Sequence, residues 1–233
     1  MGSKNKLKKF NDLKDFKNVL EPSRDVLIDD KFKIKGKWSN FFKNNNPIIL
    51  ELACGKGEYS YELAKLYPDK NFIGIDIKGS RIWSGAKKSL ENKLENLFFI
   101  RAQIELLNSI FANQEVSEIW ITFPDPNIKF KRIKHCLLNN QFLEIYKKVL
   151  KVGGLINLKT DSEFLYGYVL GILSKNKSKI HYAHHDIYSN RYSPNESINI
   201  QTHYEMIYLK ESISILALIN ILIGKVFVLT CYR

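Results

Sequence analysis

Asp125 stands between Pro124 and Pro126, and the chain then runs into Lys129, Lys131, Arg132, Lys134 and His135. The two prolines fix φ on either side of the aspartate and remove two backbone donors, so the carboxylate rides on a stiff loop. A rigid acid followed by a run of cations suits a reaction centre beside a polyanion grip. A second constellation lies upstream. Glu51 sits inside the apolar run PIILELAC, just before Gly55-Lys56-Gly57, and Asp76 follows Gly57 by 19 residues in GIDI. Glycines at 55 and 57 let backbone N–H groups approach a ligand. A carboxylate at the next strand end can accept both hydroxyls of a ribose. A dinucleotide fingerprint needs a third glycine where Ser60 stands, which disfavours a pyrophosphate cofactor. A charge at Glu51 in apolar surroundings must meet a cation or a donor. The ammonium and sulfonium of S-adenosylmethionine meet that need better than NAD does.

Residues with these roles need strand ends to carry them. PIILELAC, NFIGIDI, NLFFIRA, EIWITF and GLINLKT read as strands. Helical patterns fall at residues 58–67, 80–94, 104–113, 140–150 (closed by Gly153-Gly154) and 162–173. Alternating strands and helices, with strands apolar on both faces, predict an α/β fold: a mostly parallel Rossmann-like sheet with helices on both sides. Ligands in such sheets sit at the carboxyl ends of the strands. Glu51 to Gly57, Asp76, Ala102 with Gln103, Asp125 and Asp161 all fall in or beside such ends. Residues 1–46 mix Lys, Asp and scattered aromatics and read as a basic N-terminal extension laid over a domain spanning 47–233. Asp161 is equally suited to capping the next helix. Without other information Thr202, Tyr204 and Glu205 are ordinary sheet residues, and Trp38, Trp83 and Trp120 are packing residues.

The 233 residues are 45% hydrophobic and carry a formal charge of +12, which is enough for one full core and suggests an anionic partner. Only six of the 36 basic residues are Arg. A lysine-rich bias of that kind raises charge without any partner, so clustering beside Asp125 carries more weight than the total. Cys54, Cys136 and Cys231 lack any paired spacing, which argues for a reducing cytoplasm and against disulfides or a zinc site. His181, His184 and His185 offer no acidic or thiolate partner, so no metal is expected. SISILALINILIG is interrupted by Asn220 and followed by Lys225, too short to span a bilayer, and reads as buried sheet.

LELACGKGEYS, GIDIKGSRI, FPDPNIKFKRIKHCLLNNQFL, LKTDSEF and Thr202-His203-Tyr204-Glu205, in that order, resemble the bacterial tRNA (guanine-N7)-methyltransferase family over about residues 47–211. The resemblance implies a class I methyltransferase fold and transfer of a methyl group from S-adenosylmethionine to N7 of the variable-loop guanine, position 46, of tRNA. It implies cofactor contacts at Glu51, Gly55, Gly57, Asp76, Ala102 or Gln103, and Asp125, with Asp125 also at the reaction centre. Lys129, Asp161 and Thr202, His203, Tyr204 and Glu205 correspond to substrate contacts, and Lys131, Arg132 and Lys134 to an RNA-facing loop. Asn127 stands where the family usually has Trp, and Phe130, Ile133 and Cys136 occupy loop positions that are often charged or polar. Two rivals remain open on these residues: an amino-methyltransferase, whose site would place an aromatic where Asn127 stands, and a non-catalytic RNA-binding relative. A monomer and a homodimer are equally open.

Overall fold

The computed structural model describes residues 2–129, 131–202, 205, 206, 209 and 217–222. Its frame is an eight-stranded sheet. The strands are β1 (Val19–Leu20), β2 (Ile48–Leu52), β3 (Asn71–Asp76), β4 (Leu97–Arg101), β5 (Val116–Thr122), β6 (Leu150–Thr160), β7 (Lys179–His184) and β8 (Ala217–Leu222). They lie in the order β1-β4-β3-β2-β5-β6-β8-β7. Every pairing from β1 through β6 is parallel, and β8 runs antiparallel to both β6 and β7. The strand order reverses between β2 and β5, the switch point where such sheets open a crevice at their carboxyl ends.

The helices are α1 (Gly2–Asp15), α2 (Arg24–Ile28), α3 (Trp38–Phe42), α4 (Glu58–Leu66), α5 (Gly79–Glu91), α6 (Leu107–Ile110), α7 (Asn140–Val149), α8 (Glu163–Lys175) and α9 (Asn195–Asn199). Alternation along β2 separates two cores. Leu50 and Leu52 face one shared with α2, α3, α6, α7 and α8, while Ile49 faces the other, with Tyr59 of α4, Ile82 of α5 and Leu13 of α1. Because side chains alternate along a strand, Glu51 shares the second face.

The first 46 residues are woven into the fold, not laid over it. β1 extends the sheet beside β4, and Trp38 is fully buried against Phe111 and Phe41. A two-residue strand carries no periodicity that a sequence pattern could reveal. Gly153 and Gly154 do not close α7, because β6 starts at Leu150 and runs straight through them. The apolar stretch near the end enters as β8, buried over Ala217–Asn220, and its remaining residues lie outside the described ones. Among the described helices none is long and apolar enough to cross a membrane.

Candidate active site at the switch point

Both strands at the switch leave the sheet through strained backbone. Ala53 has φ +56° and Phe123 φ +48°, a region that residues with a Cβ occupy at a cost. Gly55 and Gly57 continue the left-handed path at φ +56° and +68°. The two glycines do different work. A Cβ on Gly57 would stand 2.4 Å from the Phe99 ring, so this glycine lets α4 pack on the sheet. A Cβ on Gly55 would meet nothing within 4 Å, so its bare backbone borders open space.

Glu51 is buried at the centre of this turn. One carboxylate oxygen accepts from the Ser60 backbone N–H at 2.8 Å and from the Ser60 hydroxyl; the other accepts from the Thr122 hydroxyl at 2.8 Å. Burial pushes its pKa up to about 7, and these hydrogen bonds hold it back from rising further. The internal need for donors is thus met by α4 and β5. The same carboxylate lines a cavity of about 110 Å³ with Gly55, Tyr59, Phe123 and Thr202. Asp76 is also buried, accepting from the Gly55 N–H at 3.0 Å and the Lys78 N–H at 2.7 Å, so it ties the glycine turn to the end of β3.

Beyond Asp76 lies a second cavity of about 400 Å³, walled by Ile77, Ala102, Gln103 and Leu106 on one side and by Pro22, Arg24 and Leu27 on the other. Arg24 donates through Nε to the Gln103 side-chain oxygen at 3.1 Å. The sequence pattern gave no hint that residues 21–27 would form this wall, and only the structure shows Ile77 half-exposed against it.

Asp125 is exposed and lines a third cavity, about 580 Å³, with Asn127, Lys129 and Arg132. Sequence reasoning put Asp125 among the contacts of the Glu51 pocket as well. It does not line that pocket in the structure: Phe123, two residues earlier, does, so one loop borders both cavities. Lys131, Arg132, Lys134 and His135 are exposed, whereas Cys136 and Leu138 are buried and anchor the loop. Cys136 therefore takes nothing from the exposed basic face; Phe130 lies outside the described residues.

Asp161 is exposed and does not cap α8. Ser162 does, its hydroxyl accepting from the Leu165 N–H at 3.2 Å. Thr202 and Glu205 are not on a strand. The Thr202 hydroxyl accepts from the Glu205 N–H at 3.3 Å while Glu205 accepts from the Thr202 N–H at 3.2 Å, the reciprocal box that starts a helix. Glu205 is fully enclosed and ion-paired with Lys159 at 2.6 Å, so it is given to the protein interior and not to an outside ligand. His203 and Tyr204 lie outside the described residues. Lys159, a buried cation near the end of β6, carries no local signal of its pairing in the sequence. His184 and His185 stack at 5.0 Å, and His184 Nδ1 is engaged by Asp186.

Residues 45–216 match the family model described as "Putative methyltransferase". A tRNA (guanine-N(7)-)-methyltransferase of Christiangramia forsetii is 62% identical over 211 residues, covering 90% of this chain and 94% of that protein. One of Porphyromonas gingivalis is 48% identical over 79% of this chain and 75% of its own length. Among solved structures, the 16S rRNA methyltransferase KamB superposes with a TM-score of 0.62 at 14% identity, over 82% of this chain and 94% of that one, which shows the shared class I methyltransferase fold. A switch-point crevice with a glycine turn, matched over most of the chain by sequence, leads to one assignment: the chain belongs to the tRNA (guanine-N7)-methyltransferase family.

Proposed function

We propose that this protein transfers the methyl group of S-adenosylmethionine to N7 of a guanine in tRNA, at position 46 of the variable loop. The observation that carries this reading is one loop, Phe123 to Asp125, which borders the cavity around Glu51 at its first residue and the cavity of Lys129 and Arg132 at its last. The residues present fit the cofactor. Gly55 leaves bare backbone where a ligand must approach, Asp76 at the end of β3 is a carboxylate of the kind that holds a ribose, the slot of Ile77, Ala102 and Leu106 suits a flat base, and Glu51 suits an ammonium.

When bound, S-adenosylmethionine supplies an electrophilic methyl group. Guanine N7 carries a free lone pair at neutral pH, so the protein needs no base to activate it. What the chain must supply is alignment, which can contribute up to about 7–11 kcal/mol as effective concentration. The methylated guanine is cationic, and a carboxylate mounted between two prolines favours that charge as it develops; we assign this role to Asp125. Lys129, Lys131, Arg132 and Lys134 neutralise phosphates, Asp161 contacts the base or its sugar, and Thr202 borders the transfer site. His203 and Tyr204 join the substrate side by resemblance. Since tRNA is the substrate, we assign the protein to the cytoplasm, in keeping with unpaired Cys54 and Cys136.

The direct test is incubation with labelled methyl donor and unmodified tRNA, followed by nucleoside analysis. N7-methylguanosine is the expected product. Methylation at an amino group or on another base would replace this reading with the amino-methyltransferase, and no product at all with the non-catalytic RNA-binding relative.

A further inference from the structure

Lys159 lies one residue before the end of β6, and its side chain has no exposure to solvent. Its ammonium donates to both carboxylate oxygens of Glu205, at 2.6 and 2.8 Å, and to the Ile200 carbonyl at 3.1 Å. The rings of Tyr59 and Phe123 flank it, with centroids 5.6 and 5.7 Å away. Tyr188 donates its hydroxyl to Glu205 at 2.7 Å. Burial pulls the lysine below its ordinary range, and Glu205 opposes that pull. A buried ion pair is a poor source of stability, because desolvation cancels much of the attraction and an apolar pair of equal volume is commonly as stable. Its best-attested use is to hold one arrangement against others.

Two segments of the site depend on this residue. Glu205 is half of the box whose other half, Thr202, lines the Glu51 cavity. The main-chain carbonyl of Lys159 accepts from the Phe123 N–H at 2.8 Å, at the point where the strained exit from β5 leads to Asp125. We propose that Lys159 is a positioning residue for methyl transfer. Through Glu205 it sets Thr202, and through its main chain and its ammonium it sets Phe123. The Thr202 side of the Glu51 cavity and the loop bearing Asp125 are thereby held in one fixed relation. Being enclosed, Lys159 touches neither cofactor nor base. This inference rests on the methyl-transfer reading above.

The test compares the wild type with Lys159→Met/Glu205→Gln, which removes both charges together, and with Tyr188→Phe, which removes one hydrogen bond to Glu205 and leaves the charges in place. Melting temperature, S-adenosylhomocysteine affinity by calorimetry, amide exchange of Thr202 in the ligand-free protein, and kcat on tRNA are measured for each. The double variant should melt within a few degrees of wild type and bind S-adenosylhomocysteine within about threefold, yet exchange the Thr202 amide about tenfold faster and lose about tenfold or more in kcat. Tyr188→Phe should lose about threefold in kcat with an unchanged melting temperature. Wild-type exchange and kcat in the double variant would reduce the pair to a structural role. Should that variant fail to fold, unchanged kcat in Tyr188→Phe overturns the proposal in its place. If the wild type itself methylates no tRNA, the functional reading fails, whereas the exchange comparison still reports on the clamp.

Discussion

Glu51 is an acid kept near the edge of ionisation by its enclosure. With a pKa raised from 4.5 to about 7, the native state holds a proton that the unfolded chain gives up at lower pH. The corresponding stability is fully present below about pH 4.5 and is lost as pH rises through about 7, up to about 3 kcal/mol in all. Thermal melts of the ligand-free protein should therefore show stability falling between pH 5 and 8. Glu51→Gln should remove that slope and melt higher than wild type at pH 8, while binding S-adenosylhomocysteine more weakly. A ligand ammonium beside Glu51 favours the carboxylate, so binding at pH 6–7 should release a proton, readable by calorimetry in buffers of different ionisation enthalpy. At Asp125 the expectation differs, because its carboxylate lines the cavity of the basic loop: Asp125→Ala should keep most of its cofactor affinity and lose about 100-fold or more in kcat on tRNA. Affinity and rate falling together would place Asp125 in the cofactor pocket instead. Glu51, Asp76 and Asp125 were legible from sequence because acids at predicted strand ends violate the apolar pattern around them. Lys159 violated it too, but its partner lies 46 positions downstream, and nothing local announces such a pairing.

Among the elements, the two turn glycines give a clean contrast. Gly57→Ala must drive a methyl group into the Phe99 ring between α4 and β4, at a cost of about 2–4 kcal/mol that should appear as a lower melting temperature. Gly55→Ala meets no neighbour, so it should cost about 1 kcal/mol in backbone strain and show its main effect as weaker binding of S-adenosylhomocysteine. Equal destabilisation by both would mean that Gly55 is a packing glycine as well. The five central strands were readable because each is a short apolar run with a turn signal after it. β1 has only two residues, and the stretch holding Thr202 and Glu205 was assigned to a strand because its helix-starting box shows itself only when Thr202 and Glu205 are seen bonded to each other. Residues 185–201 had no readable pattern, yet Ile187 and Ile200 are buried beside Trp120 in the second core, and Tyr59 and Tyr67 of the α4 region bond to Glu196.

For the molecule as a whole, the basic loop and the N-terminal segment, anchored by buried Leu13, Leu27 and Trp38, make separate demands. Binding of tRNA should weaken steeply between low and moderate salt, with a log–log slope near the number of phosphates neutralised. Replacing Lys131, Arg132 and Lys134 with Ala should flatten that slope by about three while leaving S-adenosylhomocysteine affinity unchanged. A flat wild-type response would make these residues a solvated surface. Removal of residues 1–46 takes away β1, Trp38 and the Arg24 wall of the second cavity, so the truncated chain should fail to fold cooperatively in a melting experiment. The α/β class and a site at the carboxyl ends of the strands followed from strand and helix order alone, because that order leaves few topologies open. The dependence of the core on its first segment did not follow, since Trp38 meets Phe111 only across the folded molecule.

The place of β8 has a bearing on synthesis. This strand comes after β7 in the chain yet sits between β6 and β7, so neither neighbour can complete its hydrogen bonding until residues 217–222 have left the ribosome. Until then the nascent chain carries an open β6 edge and a β7 without a partner. Ribosome-tethered intermediates ending before residue 217 should be sensitive to protease and chaperone-bound, and catalytic competence should arise in one late step instead of growing with length.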